Sequence, residues 1–169
     1  MKAGGGRNKG NTFERAVAKT IVMAFSRFGI TNKDCYRTPS SGGHKYAKNE
    51  DPGDLVISRK LRMVGFNFHV ECKHWKKIEL WPLLSSQFDR KFEMWLKQLL
   101  SASKKTGQRP MLVFKGNGRM PVFVMLPLWA WPLKKRPLPR IITSYQDKMW
   151  YIARLDEVLK ELVSHADDN

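Results

Sequence analysis

Apolar positions recur at Phe13, Val17, Ile21, Ala24 and Phe28, in steps of three and four, which predicts an amphipathic helix over residues 13–28. Asn11 or Thr12 stands where an N-cap is expected, and Gly29 where a helix stops. Residues 33–37 read as a short strand. Residues 38–53, rich in Ser, Gly, Pro and Lys, read as a loop. Residues 54–58 begin a second strand, and residues 59–62 form a basic turn. Phe66, Phe68, Val70 and Cys72 then alternate with more polar neighbours, predicting a strand within residues 64–74. The period changes over residues 84–105, where Phe88, Phe92, Trp95, Leu96, Leu99 and Leu100 fall at helical spacing. Residues 107–110 form a break. Strands at 111–114 and 121–126 flank the turn Gly116-Asn117-Gly118-Arg119. Residues 128–140, dense in Trp, Pro, Lys and Arg, look irregular. A further hairpin over 141–152, a helix over 155–163 and a fraying acidic end complete the chain. This order predicts an α/β (α+β) domain with a mixed central sheet flanked by helices.

Length and composition narrow the classes. The chain has 169 residues, which suits one domain with a tail, and 42% of them are hydrophobic, enough for a core. Residues 120–133 are the most apolar stretch, but Pro121, Pro127 and Pro132 interrupt it before the roughly 20 residues of a membrane helix. Residues 1–9 are basic and glycine-rich and lack an apolar signal region, so a flexible basic arm and a cytoplasmic protein are expected. Cys35 and Cys72 are then expected as reduced thiols. No CxxC pair suggests zinc, no glycine-rich phosphate loop is present, and no repeat is visible. Charge changes the picture most. Lys and Arg number 31 against 15 Asp and Glu, a net +16, which calls for a polyanionic partner, nucleic acid before membrane.

Candidate chemistry sits at the strand starts. Asp54 follows Pro52-Gly53, and Glu71 and Lys73 are two residues apart, hence on one face of their strand. Neighbouring strands lie about 4.8 Å apart, so Asp54 and Glu71 can meet at one metal ion. Two carboxylates with carbonyls and waters suit Mg²⁺. Lys73 can orient a water or stabilise a pentavalent phosphate. Val70 and Cys72 would face the core.

Gly53-Asp54 with Glu71-Cys72-Lys73 resembles the PD-(D/E)xK nuclease superfamily, in which a first-helix acid such as Glu14 often joins the site. The sharper resemblance is to archaeal-type Holliday junction resolvases. It rests on Lys9-Gly10, Glu14-Arg15, Arg37-Thr38-Pro39-Ser40-Ser41-Gly42, Asp54 and Glu71-Cys72-Lys73, and covers about residues 9–126. It implies a restriction-endonuclease-like core, here residues 10–126; residues 127–169, outside the resemblance, are expected as a basic and aromatic extension packed on that core. It also implies a Mg²⁺-dependent homodimer, with Mn²⁺ as a substitute, that nicks opposed strands of branched DNA and leaves 5′-phosphate and 3′-hydroxyl ends, as recombination and repair require. Glu14, Asp54, Glu71 and Lys73 would be catalytic, the three acids holding metal. Lys9, Arg15, Arg37, Ser40, Ser41, Lys45, Lys48, Lys76 and Lys77 would touch DNA. No membrane and no small-molecule substrate are expected.

Plainer readings stand beside these. Asp54 and Glu71 could be strand carboxylates paired with lysines. Glu14 suits any first helical turn, and Ser40 and Ser41 any turn. His69 shares a face with Glu71 and could touch DNA, although a solvated strand histidine is the simpler expectation. Lys134, Lys135 and Arg136 could bind DNA or only confer solubility. Phe88, Phe92, Trp95 and Leu99, with the apolar segment 120–131, offer core or dimer contacts. Other nucleases of the superfamily, of flap, nicking or restriction type, are the nearest rivals, and a non-catalytic DNA-binding module is the rival of another class.

Overall fold

A computed structural model describes residues 5–39, 53–79, 81–85, 87–131 and 141–167. Helix α1 runs Gly5–Ala24 and buries Phe13, Val17, Ala18 and Ile21. It starts earlier than the sequence pattern suggests, so residues 5–9 are helical and not an arm. Neither expected cap acts as one: the Thr12 hydroxyl donates to the Asn8 carbonyl inside the helix (2.8 Å), and Asn11 accepts from Arg37. A 3-10 turn, Ser26–Phe28, follows and closes at Gly29, whose φ of 70° is left-handed.

Strands β1 (Cys35–Arg37) and β2 (Leu55–Ile57) pair antiparallel. The expected basic turn after β2 is helix α2, Arg59–Met63, because the Ser58 hydroxyl accepts from the Leu61 amide and caps it (3.1 Å). Strand β3 (Phe68–His74) leads through the short α3 (Trp81–Leu84) to α4 (Arg90–Thr106), capped by Asp89, which accepts from the Phe92 amide (2.7 Å). Strands β4 (Arg109–Lys115), β5 (Phe123–Pro127), β6 (Ile141–Tyr145) and β7 (Lys148–Arg154) follow, then α5 (Leu155–Asp167).

The main sheet has the order β3-β4-β5-β7-β6. Only β3 and β4 are parallel, joined over one face by α4; the other pairs are antiparallel. Alternation divides the core in two. Val70, Cys72, Met111, Val113, Val124, Leu126, Tyr151 and Ala153 face α1 and α5. Leu112, Phe114, Met125, Trp150 and Ile152 face α4, whose Phe92, Leu96 and Leu99 cover them.

Residues 141–167 are no extension laid on a finished core, since β7 lies between β5 and β6 and α5 closes the first core layer against α1. The expected fraying end is helical to Asp167, which ion-pairs with Arg27. Much of the apolar material that offers a dimer face lies inside the chain: Phe92, Leu99, Val124, Met125 and Leu126 are buried, and Trp95 and Phe88 pack against the second core layer, whereas Trp129 is exposed. Strands β6 and β7 form the hairpin that the pattern over 141–152 predicts, and Gln146 and Asp147 both take positive φ at its turn (50° and 57°), as a two-residue turn demands.

Trp150, fully buried on β7, reports on this integration. Trp150→Ala is expected to lower the unfolding free energy by about 3–5 kcal/mol in urea titration, the loss typical of a core aromatic. A change within about 0.5 kcal/mol, as for a surface residue, would return the segment to the status of an appendage.

Candidate active site

The site begins where the small β1–β2 sheet meets the edge of β3. Gly53 bridges Val70 in parallel register with φ of +74°. A Cβ there would lie 2.6 Å from the Val70 carbonyl oxygen and 3.1 Å from His69 Nε2, so only glycine brings the backbone this close. The Thr38 hydroxyl donates to the Gly53 carbonyl (2.8 Å) and fixes the approach. The Asp54 amide donates to Val70 (3.0 Å), which is one rung of a parallel ladder. The next rung does not form between backbones. The Asp54 carbonyl accepts from Thr38 instead (3.0 Å), and the Cys72 amide donates to Asp54 Oδ2 (2.7 Å). The carboxylate thus occupies the gap that opens as the strands part.

Glu71 and Lys73 project from the face of β3 that α4 covers. Lys73 Nζ donates to Glu71 Oε2 (2.8 Å) and lies 4.0 Å from Asp54 Oδ2, between the two acids. Gln98 of α4 donates its Nε2 to the same Glu71 oxygen (3.2 Å). Sequence reading missed Gln98; its one signal is an amide beside the apolar stripe of Leu96 and Leu99. The chemical face is accordingly roofed, and Glu71 is only 3% exposed.

Burial pushes the Asp54 carboxyl up to about 7, with the charge of Glu71 adding to it, against Lys73 and the Cys72 amide, which favour the anion. Burial also opposes ionisation of Glu71, but His69 and Lys73 outweigh it and hold that carboxyl below its ordinary value. Lys73 stays cationic, because Glu71 and Asp54 overcome its own burial. Burial lifts the thiols of Cys72 and, to about 12, Cys35; both are free, as expected, and neither is a nucleophile.

The donor set fits a hard divalent cation. Two buried carboxylates share one ammonium, and the high Asp54 value marks positive charge still lacking. Among the described residues, no three His, Cys, Asp or Glu side chains converge on one point. The expected set of Glu14, Asp54 and Glu71 is therefore not brought together. Glu14 is buried in α1 and paired with Arg37, whose Nε donates to its Oε2 (2.7 Å) while a second guanidinium nitrogen reaches Asn11 (2.9 Å). Arg37, a residue expected on DNA, fastens β1 to α1 through these contacts. Mg²⁺ commonly takes one or two carboxylates and completes its shell with waters and substrate phosphate, which the pair Asp54 and Glu71 allows.

The remaining candidates are scattered. Arg15, Lys76 and Lys77 are exposed, Lys77 paired with Glu79. Lys9 is exposed, bonds Asn117, and borders a groove with Phe13, His74 and Lys115. Ser40, Ser41, Lys45 and Lys48 lie outside the described residues, as do Lys134, Lys135 and Arg136. His69 is neither solvated nor placed to touch DNA. It is fully buried, its Nε2 is 3.6 Å from Glu71 Oε1, and neither ring nitrogen has a hydrogen-bond partner.

A mixed sheet flanked by helices, with an Asp at the parting of two strands and a Glu-x-Lys on the next, defines a restriction-endonuclease-like domain of the PD-(D/E)xK superfamily. The chain belongs to the family described as phage putative PDDEXK endonuclease, whose model matches residues 5–165 and so takes in the C-terminal strands and helix. No curated protein and no solved structure matches it.

A pH-dependent stability follows from Asp54. Its folded value lies above the ordinary 3.8, so the folded chain binds the extra proton and this group's contribution to stability falls as pH rises from about 4 to about 7. Asp54→Asn keeps an acceptor for the Cys72 amide and removes the charge. Metal-free Asp54→Asn is expected to be more stable than wild type above pH 7, by about 1–4 kcal/mol at roughly 1.4 kcal/mol per pKa unit. Thermal melts at pH 4 and 8 check it: the gain should be present at pH 8, absent at pH 4, and reduced by Mg²⁺.

Proposed function

We propose that this endonuclease hydrolyses DNA phosphodiesters with a divalent metal, Mg²⁺ or Mn²⁺, and acts on branched DNA, four-way junctions included. The observation that carries the reading is the Asp54–Lys73–Glu71 arrangement, a charge set short of one cation at the open end of a ladder. Asp54 and Glu71 would hold the ion, and Glu14, whose charge reaches Asp54, would support it through the Arg37 pair. The metal would supply Lewis acidity toward the phosphoryl oxygens and lower the pKa of a water. Lys73, kept protonated, holds the attacking water in line and meets charge growing on the phosphate. Gln98 holds Glu71 Oε2 in place, so the carboxylate does not swing with the substrate. Water attacks phosphorus, the bond to the 3′ oxygen breaks, and 5′-phosphate and 3′-hydroxyl ends remain.

The net charge of +16 supports a nucleic-acid substrate, with exposed Lys9, Arg15, Lys76 and Lys77 as phosphate contacts. Among the described residues, no helix is long and apolar enough to cross a membrane. DNA in a cytoplasm is the natural substrate. The preference for four-way junctions rests on the order of the Lys-Gly, Glu-Arg, Arg-x-Pro-x-Ser-Gly and Glu-x-Lys elements, and implies a homodimer with paired nicks. A second reading, a flap, nicking or restriction-type enzyme of the same superfamily, is favoured by one observation. The aromatic stripe and segment 120–131, the material for a dimer face, are largely internal.

Cleavage of labelled four-way junction, flap, splayed-arm and linear duplex side by side separates these readings. With Mg²⁺, Glu71→Gln and Lys73→Ala are each expected to cut at least about a hundredfold more slowly, the scale of losing one positioned group. EDTA should abolish cutting, and Ca²⁺ should support binding with little cleavage. Preference for the junction, with a light-scattering mass twice 19.6 kDa, supports resolution. Equal cutting of duplex and junction by a monomer gives the second reading, and full activity in EDTA overturns both.

A further inference from the structure

Beyond the charge cluster, the same face of β3 continues into an aromatic cavity. The Trp75 amide donates to the Lys115 carbonyl (3.0 Å), so the ladder with β4 extends past His74 and the alternation Glu71, Lys73, Trp75 persists on one side. On α4, Gln98, Trp95 and Lys91 fall three and four residues apart, on one side of the helix. The two rows meet pairwise. Gln98 bonds Glu71, the Trp95 and Trp75 rings meet at 6.1 Å and 70°, and Lys91 Nζ sits 3.0 Å from the Trp75 ring centroid. The cavity bordered by Trp75, Lys91 and Trp95 measures about 210 Å³, and Trp75 is 42% exposed.

We propose that this cavity takes one unpaired nucleobase of the substrate DNA, one to two nucleotides from the bond cut at Lys73. The inference rests on the nuclease reading and adds to it what selects the substrate. Trp75 lies two residues beyond Lys73, about 7 Å along the strand, against 3.4 Å per stacked nucleotide. Two indoles near a right angle offer a base one ring to stack on and an edge to abut. A base within a duplex has both faces covered and cannot enter without leaving the stack. The surrounding charge suits the nucleotide that carries the base. Lys91 rests on the indole as an exchangeable cation and can pass to its phosphate. The acids nearby are already engaged, Asp89 by the Phe92 amide and Glu79 by Lys77 (2.6 Å). Stacking tolerates any base, so the cavity selects for unpaired nucleotides and not for sequence. Branch points and frayed ends supply these most cheaply, which gives selectivity for branched DNA without a requirement for four arms.

The test uses the full chain in Ca²⁺ with two duplexes, one carrying a single unpaired 2-aminopurine nucleotide and one an abasic spacer at that place. Wild type is expected to prefer the base over the spacer by about tenfold, within the range of one base–aromatic stack, and to quench the 2-aminopurine emission. Trp75→Ala should bring that ratio near one and restore the emission. Trp75→Phe should keep most of both, which a merely structural role would not produce. A ratio near one in wild type, or an unchanged ratio in Trp75→Ala, overturns the cavity's role even if Mg²⁺-dependent cutting is intact. A light-scattering mass that halves in Trp75→Ala while the ratio holds assigns the cavity to a second copy of the chain. A wild type that neither binds nor cuts any DNA overturns the nuclease reading itself.

Discussion

The hydrogen bond from the Cys72 amide to the Asp54 carboxylate is the constraint on which the site depends. A parallel ladder would place a backbone carbonyl there. Because the Asp54 carbonyl has turned to Thr38, the rung is completed by a side chain, and a negative charge stands at the edge of β3 with little water around it. Leaving that amide unpaired in a buried edge would cost about 1–3 kcal/mol, so the fold itself holds the carboxylate in position. Gly53 makes the approach possible, and the Thr38 hydroxyl and amide set its angle.

The rest of the architecture keeps that charge dry and yet answerable. Helix α4 crosses from β3 to β4 and roofs the face bearing Glu71, and Phe92, Leu96 and Leu99 anchor it through the second core layer. The helix therefore cannot move away from Gln98's bond without exposing those side chains. On the other face, α1 and α5 seal Val70 and Cys72, and the buried Arg37–Glu14 pair ties α1 to β1. A buried ion pair of this kind contributes little net stability but is costly to break, which suits a brace. Two like charges near one lysine are tolerable in such surroundings only with a proton or a cation shared between them. Holding the carboxylate pair together therefore costs the metal-free chain stability.

His69 shows how far neighbouring residues on one strand can diverge. It shares its side of β3 with Glu71 and Lys73, yet it lies beneath Gly53 with no hydrogen-bond partner for either ring nitrogen, where the chain of the small sheet covers it. Trp75, at the other end of the same row, is left open where α4 begins. One face of one strand thus passes from a sealed imidazole through a charged pair to an exposed aromatic.

Short-range periodicity was enough to read much of this in the sequence. The two-residue alternation of β3 determines that Glu71 and Lys73 share a side and that Val70 and Cys72 oppose them. The three- and four-residue steps of α1 and α4, the Gly29 stop and the turns before β5 and β7 are likewise local consequences of sterics and apolar spacing. What lay beyond it are the contacts between residues far apart in the chain. Placement of the Asp54 carboxylate on the Cys72 amide, of Gln98 on Glu71 and of Arg37 on Glu14 depends on which strand borders which and which helix covers each face. The same holds for the burial of His69 and for the entry of β7 between β5 and β6, which turned an apparent extension into core. Periodicity says that a side is apolar or polar, but only the packed chain determines what lies across from it, because that partner is supplied by a distant segment and chosen by the burial of the whole.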